Sequence, residues 1–405
     1  MKTARYLLLL VLLTALLALI GCGEEVITLN VYNWGEYISD GSEGTLDVNE
    51  AFEEYYFEAT GVRVKVNYTT YASNEDMYAK LRSGATAYDV IIPSDYMIER
   101  MIDEDMLLPL DFENIPNYQY IAEDMRSLFY DPENVYSVPY TYGLVGVIYN
   151  TTMVDEADTG SWDLLWNEKY AGKILQFNNA RDAFGTAMYF LDIDVNTTDE
   201  TLWRAALDLL KQQKPIVQGY VMDEIFNKMK GESAAIAAYY AGDYLTMYDS
   251  NPNLDFYYPV EGTNIFTDAM CVPVGSQHPE IAEAYINFML SEEIATANAE
   301  YICYASPHTL VRESEEYRAY LEEFREGAYD ILYPDLSTLK TQAYAMLRDD
   351  TQSLQNRLWE ELKIESSVGD SIYTTALIII ALLLIVLVRY IVIRRYRAWH
   401  LKNHS

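Results

Sequence analysis

The sequence has few of the residues that most catalytic and metal-binding chemistry draws on. Of 405 residues, three are cysteine and four are histidine. So few thiols exclude a disulfide-built scaffold. No HExxH, CxxC, GxSxG, P-loop or GxGxxG pattern occurs. That leaves no motif for a zinc hydrolase, a dithiol redox enzyme, a nucleophile-elbow hydrolase or a dinucleotide cofactor, and no enzymatic activity, cofactor or metal is expected. Basic charge is scarce as well: 28 Lys+Arg stand against 62 Asp+Glu, a net charge of −34. Nucleic acid needs a basic face for its phosphates, so that class of partner is excluded. No internal repeat is found.

Apolar residues and tyrosine are what the chain does have. Half of it is hydrophobic, enough for a packed core, and its length allows two or three domains. Tyrosine supplies 37 residues against 12 Phe and 6 Trp, so most rings carry a polar handle. The acidic excess suits a cationic or neutral partner. Paired carboxylates are abundant, but in so acidic a chain they carry little weight as evidence of glycosidase chemistry. His278, just before Pro279, reads as a loop residue. The N-x-T sequons at Asn67, Asn150 and Asn196 read as incidental.

The two ends read as targeting and membrane segments. In residues 1–22 a basic start (Lys2, Arg5) precedes an apolar run and Leu19-Ile20-Gly21-Cys22, which predicts a lipoprotein signal with lipid attached at Cys22. At the other end, 372–393 is apolar but for Arg389, long enough to span a bilayer, with Arg394, Arg395 and Arg397 following. These features predict a transmembrane helix over 372–393, a polar linker over 364–371, a cytoplasmic tail over 394–405, and an extracytoplasmic remainder. Seven bases and no acids lie in the two ends, so the remainder carries 62 acids against 21 bases. Within it, Cys271 and Cys303 are left as candidates for one disulfide.

Between the ends, periodicity alternates between strand and helix. Ile27, Leu29 and Val31 alternate through 27–34, as do Val62, Val64 and Val66 through 62–68, and 88–94 reads as a short buried strand. A helix is expected over 47–60 with Asp47 as N-cap and Gly61 as stop, and another begins at Asn74 as cap. Further strands are expected at 144–149, 173–178, 234–240 and 269–274, and helices at 200–213, 279–291 and 338–362. The alternation implies a parallel α/β sheet, in which ligands sit at the carboxyl ends of strands. That rule points to Tyr32–Tyr37, Pro93–Tyr96, Asn178–Asp182, Tyr239–Asp243 and Phe266–Asp268. Each junction carries an aromatic, a carboxylate or both. Rings pack on methylenes and attract cations, and carboxylates bind ammonium groups, so the recurrence suits a flexible organic cation.

Several stretches are specific enough to name a family. VYNWGEYI (31–38), TYASNEDMYAKL (70–81), AYDVIIPSDY (87–96), YSVPYTYG (136–143), SWDLLW (161–166), AGKILQFNNARDAFG (171–185), TDAMCVPVGS (267–276) and ICYASPH (302–308) carry the likeness. The chain over about 27–363 resembles the spermidine/putrescine-binding proteins of bacterial polyamine ABC transporters. The resemblance implies a two-lobed periplasmic-binding-protein (Venus flytrap) fold. Lobe one would comprise 26–142 and 268–312, and lobe two 143–267 and 313–363. It implies capture of putrescine and/or spermidine in the cleft and delivery to ABC permease and ATPase subunits at the membrane lipid surface. It also implies ligand-binding roles for Trp34, Glu36, Tyr37, Ser94, Tyr96, Asn179, Asp182, Tyr240, Phe266, Asp268 and Tyr304.

Some positions depart from the family pattern. Gly35 replaces a threonine, Asn179 replaces an acid, Asp182 is one carbon shorter, Tyr240 and Phe266 replace tryptophans, and a glutamine is missing near Ala345. Asp182 and Asp268 remain to serve one cation each. The rival readings are a polyamine-sensing membrane receptor, a binder of another small organic cation, and an extracellular hydrolase on a similar fold.

Overall fold

Alternating apolar residues make the first strand, β1 (Ile27–Trp34), whose Leu29 and Val31 are fully buried. The computed structural model describes residues 26–403, so the signal at 1–22 and Cys22 lie outside the described residues. The chain continues through α1 (Val48–Thr60), β2 (Val64–Tyr71), α2 (Asn74–Ser83), β3 (Val90–Ile91), α3 (Asp95–Asp103) and the long β4 (Ser137–Asn150). A second series follows: β5 (Ile174–Phe177), α4 (Ala180–Phe190), α5 (Glu200–Gln213), β6 (Val217–Val221), α6 (Glu224–Lys230), β7 (Ile236–Tyr240), α7 (Ala241–Ser250), β8 (Leu254–Tyr257) and β9 (Thr263–Cys271). The last part is α8 (Pro279–Met289), α9 (Glu292–Ile302), α10 (Thr309–Arg312), α11 (Glu315–Phe324), α12 (Ala328–Leu332), β10 (Thr341–Gln342) and α13 (Asp349–Asn403).

The strands form one sheet ordered β2-β1-β3-β9-β4-β7-β5-β6, with β8 beside β4 and β10 beside β9. Its two ends are parallel: β1 with β2 and β3, and β5 with β6 and β7. The expected wholly parallel sheet is corrected at its centre, where β9 and β4 run antiparallel to each other and to their outer neighbours. These two strands link the halves: β4 pairs β9 through Leu144 and then β7 from Val145 onward. A strand that passes from one half into the other cannot keep the direction set by strand–helix–strand crossovers.

Helix boundaries follow their caps. Asp47 accepts from Glu50 N at 2.9 Å, and Gly61 ends α1 in the left-handed region at φ 73°. For α2 the cap is Ser73, which accepts from Asp76 N at 3.1 Å, and not the expected Asn74. Asn74 lies one residue inside, and its amide donates to Tyr96 Oη at 3.1 Å. The strand expected at 62–68 runs from Val64, because Gly61 and the two residues after it leave the α1 terminus. That expected at 269–274 starts earlier, at Thr263, since β9 pairs along β4. Cys271 and Cys303 are buried free thiols, which settles the open disulfide question against a bridge.

The helix expected over 338–362 begins at Asp349 instead, after β10, and continues to Asn403. Leu354, Leu358 and Leu362 bury one stripe of α13, and Lys211 on α5 pairs with Glu361 at 2.8 Å. Residues 364–371, expected as a linker, lie within this helix. Among the described residues no helix is long and apolar enough to cross a membrane. The side chains described over 377–385 are aliphatic and exposed.

Candidate ligand-binding cleft

Several strand ends and one face of β9 converge on one cavity of about 70 Å³. After β1 the chain turns through Glu36, left-handed at φ 52°, and sets Trp34 and Tyr37 on the wall. After β3 come Ser94 and Tyr96 and after β5 Asn179 and Asp182, while Tyr240 ends β7 and Asp243 follows it. On β9 the pleat divides alternate residues between two faces. Asn264, Phe266 and Asp268 line this cavity, whereas Ile265 and Thr267 line a separate cavity behind the strand. The end of α9 adds Tyr304.

The rings make a continuous apolar wall. Tyr304 meets Tyr37 edge-on with centroids 5.0 Å apart, and Phe266 meets Tyr240 at 5.3 Å. Trp34 leans on Tyr71 at 4.6 Å, and its Nε1 is buried with no partner.

The polar wall is acidic: Asp95, Asp182, Asp223, Asp243 and Asp268 line it, with no lysine or arginine among the described lining residues. Asp268 accepts from Tyr37 Oη at 2.7 Å through Oδ2, and Tyr37 Oη also makes a short hydrogen bond with Thr141 Oγ1. Asp268 Oδ1 is buried without a partner. Burial pushes the Asp268 carboxyl up to about 6, against the opposing pull of the nearby Ser94 hydroxyl and of the Tyr37 hydrogen bond. Asp182 accepts from Tyr240 Oη at 2.8 Å; burial raises it to about 7, with Glu75 adding repulsion. Asp243 accepts from Tyr304 Oη at 3.0 Å and is pushed to about 8 by burial, with Asp223 and Glu36 adding like charge.

One internal cation stands beside this wall without lining it. Arg181 is buried, lies 4.6 Å from the Tyr344 ring centroid, and donates to Asn196 Oδ1 at 2.7 Å and Ala345 O at 3.1 Å. It is one of the influences holding Asp182 and Asp95 down, so that part of the wall is partly compensated.

Of the expected site residues, ten line the cavity. Glu36 does not: it is exposed and acts on the wall through its charge. Asn179 lines the cavity but is tied to the backbone, its Oδ1 capping α4 by accepting from Arg181 N at 2.9 Å. Tyr96 donates to Glu75 Oε1 at 3.1 Å. The structure adds Asp223, Asp243, Asn74, Asn264 and Tyr344, which sequence reasoning did not single out. Asp243 closes the Tyr239–Asp243 junction, and Asn264 shares a strand face with Phe266 and Asp268, so both left a signal. Tyr344 left none, although it stands next to Ala345, where a family contact was expected to be missing.

A model of the bacterial extracellular solute-binding protein family matches residues 49–324. The chain belongs to this family. The spermidine/putrescine-binding periplasmic protein of Escherichia coli (strain K12) is 31% identical over 338 residues, 83% of this chain and 91% of that one. The substrate-binding protein PotD of a Streptococcus pneumoniae spermidine/putrescine ABC transporter superposes with TM-score 0.66 at 33% identity, covering 84% of this chain and 99% of that one. The TpPotD lipoprotein of Treponema pallidum superposes with TM-score 0.69 at 25% identity, over 84% and 99% of the two chains. The family fold is the periplasmic-binding-protein fold. Its members are solute-binding components of transporters, so this chain is a binding protein and not an enzyme.

Proposed function

We propose that this chain is the substrate-binding component of an ABC-type polyamine importer, capturing putrescine and/or spermidine for a separate permease and its ATPase subunits. The observation that carries the reading is Asp268. It is a buried carboxylate with one oxygen hydrogen-bonded and the other unpartnered, in a wall of carboxylates and rings that no lysine or arginine lines. A buried ionised carboxylate is costly until a cation answers it, and an ammonium does so with hydrogen bonds as well as charge. The cavity's size favours a slender chain: about 70 Å³ is room for roughly five to seven water-sized groups at ~10–15 Å³ each. The names of the E. coli and S. pneumoniae relatives support the same ligand class.

In this reading Trp34, Tyr37, Tyr240, Phe266 and Tyr304 pack on methylenes, Asp182 and Asp268 meet ammonium groups, and Ser94, Tyr96 and Asn179 supply polar contacts. Glu36 raises the negative potential at the mouth. Lobe one comprises 26–142 and 268–312, and lobe two 143–267 and 313–363. The lobes close about β4 and β9 when ligand enters.

Two anchors complete the proposal: lipid on Cys22, and a membrane span over 372–393 with the C-terminus in the cytoplasm. The apolar run in the sequence and the exposed aliphatic side chains over 377–385 support the span. A relative named as a lipoprotein supports the first anchor. Membrane retention of Cys22→Ala in carbonate-washed fractions supports the span, and its release would remove it.

The test of the central reading is thermal unfolding of the full-length protein in detergent with putrescine, spermidine and glutamate. Stabilisation by a polyamine and none by glutamate supports it. Stabilisation by glutamate alone would assign the cleft to another solute.

A further inference from the structure

Asp223 follows β6, at the far end of the sheet from β1, yet its side chain reaches the turn after β1. A Cβ placed on Gly35 would stand 2.8 Å from Asp223 Oδ2 and 3.6 Å from its Cγ. Real Cβ atoms do not approach an oxygen that closely, so the carboxylate keeps this position only because residue 35 has no side chain. Gly35 and Asp223 both line the cavity. Asp223 lies at its rim, exposed on one side. The charges that act on it are those of Glu36 and Glu224, like its own, and they join burial in raising its pKa.

The same cavity holds two deeply buried polar side chains with an unpartnered oxygen, Asp268 Oδ1 and Asn264 Oδ1. These orphaned acceptors mark it as a place where a donor is missing. At the Asp182 end the buried Arg181 supplies positive charge. At the Asp223 end no lysine or arginine lines the cavity among the described residues, and Asp223 and Asp243 add like charge to each other.

We propose that Asp223, admitted by Gly35, is a specificity-determining cation contact that receives one ammonium of a bound putrescine at the cleft mouth while Asp268 receives the other, leaving Asp182 to the further amine of spermidine. This rests on the polyamine reading above and assigns the site a second pole. Gly35 and Asp223 come from opposite ends of the sheet, so an ammonium held there also bridges the two halves. The pair therefore favours closure only on a ligand with charge at both ends, and a monoamine of the same length gains nothing from it.

The experiment is calorimetric titration of the full-length protein in detergent with putrescine and with 1-aminobutane, comparing wild type, Asp223→Asn, Gly35→Ala and the double variant. Asp223→Asn is expected to weaken putrescine about tenfold, as for a half-solvated charge pair, and to leave 1-aminobutane unchanged. Gly35→Ala is expected to weaken putrescine similarly by displacing the carboxylate, and to add nothing in the Asp223→Asn background. Because Asp223 is on the rim, unaltered thermal unfolding of the empty variant serves as the folding control. Putrescine affinity within twofold of wild type in Asp223→Asn overturns the inference and leaves the polyamine reading standing. A wild type that binds neither amine overturns both.

Discussion

At the scale of single residues, Asp268 concentrates the consequences. Its Oδ2 is held by Tyr37 Oη at 2.7 Å, while Oδ1 has no partner. An asparagine there can still accept from Tyr37 and no longer needs a counter-charge. Asp268→Asn is therefore expected to cost on the order of 2–5 kcal/mol of polyamine affinity in a calorimetric titration. The empty protein should unfold at an unchanged or higher temperature. A parallel fall in affinity and empty-state stability would make Asp268 a structural residue. The lining of the cavity was largely legible at this scale, because strand-end positions and residue chemistry are local properties. What was not legible depended on contacts distant in sequence. Asp223 reaches the cavity only by crossing to the β1 turn, and Asn179 looked available until its Oδ1 proved to cap α4.

At the scale of elements, the helix that opens after β7 shows how packing positions a ring. Gly242, in the first turn of α7, lies so close to the Tyr304 ring that an added Cβ would overlap it. Gly242→Ala is expected to push Tyr304 away from Asp243, costing about 1–3 kcal/mol of stability through overpacking and lowering affinity as well. Thermal unfolding and titration of the same sample read both effects. The N-cap of α1 provides the contrast. Asp47→Ala removes the bond from Glu50 N and is expected to cost about 1 kcal/mol in denaturant unfolding, with affinity untouched because α1 does not line the cleft. An equal loss of affinity would tie α1 to the site. Alternation and caps made most elements legible, including β1, α1 and α5. The antiparallel course of β4 and β9 was not, because pattern gives a strand its faces and leaves its direction to tertiary pairing. The continuation of α13 through 364–371 was missed because a polar stretch without proline reads alike as linker or as exposed helix.

At the scale of the whole molecule, acidity and function meet in the pH response. Burial raises Asp268 to about 6, Asp182 to about 7 and Asp243 to about 8, from a common ordinary value of 3.8. A carboxyl that keeps its proton to higher pH when folded than when unfolded loses stability for the fold as pH rises from its ordinary value to its raised one. The empty protein should therefore lose stability from these groups between about pH 4 and 8. A polyamine, cationic throughout that window, restores it by binding the ionised form. The thermal shift given by a fixed putrescine concentration should accordingly grow from about pH 5.5 to 8 and then level off. A shift independent of pH would mean that the carboxylates do not meet the ligand.

The most direct measurement combines these points: calorimetric titration of the full-length protein with putrescine at about pH 6.5 in two buffers of different ionisation enthalpy, with glutamate as control. The account predicts saturable one-to-one binding with net release of protons and no heat from glutamate. Saturable binding of glutamate, or no saturable heat from putrescine or spermidine, would contradict it.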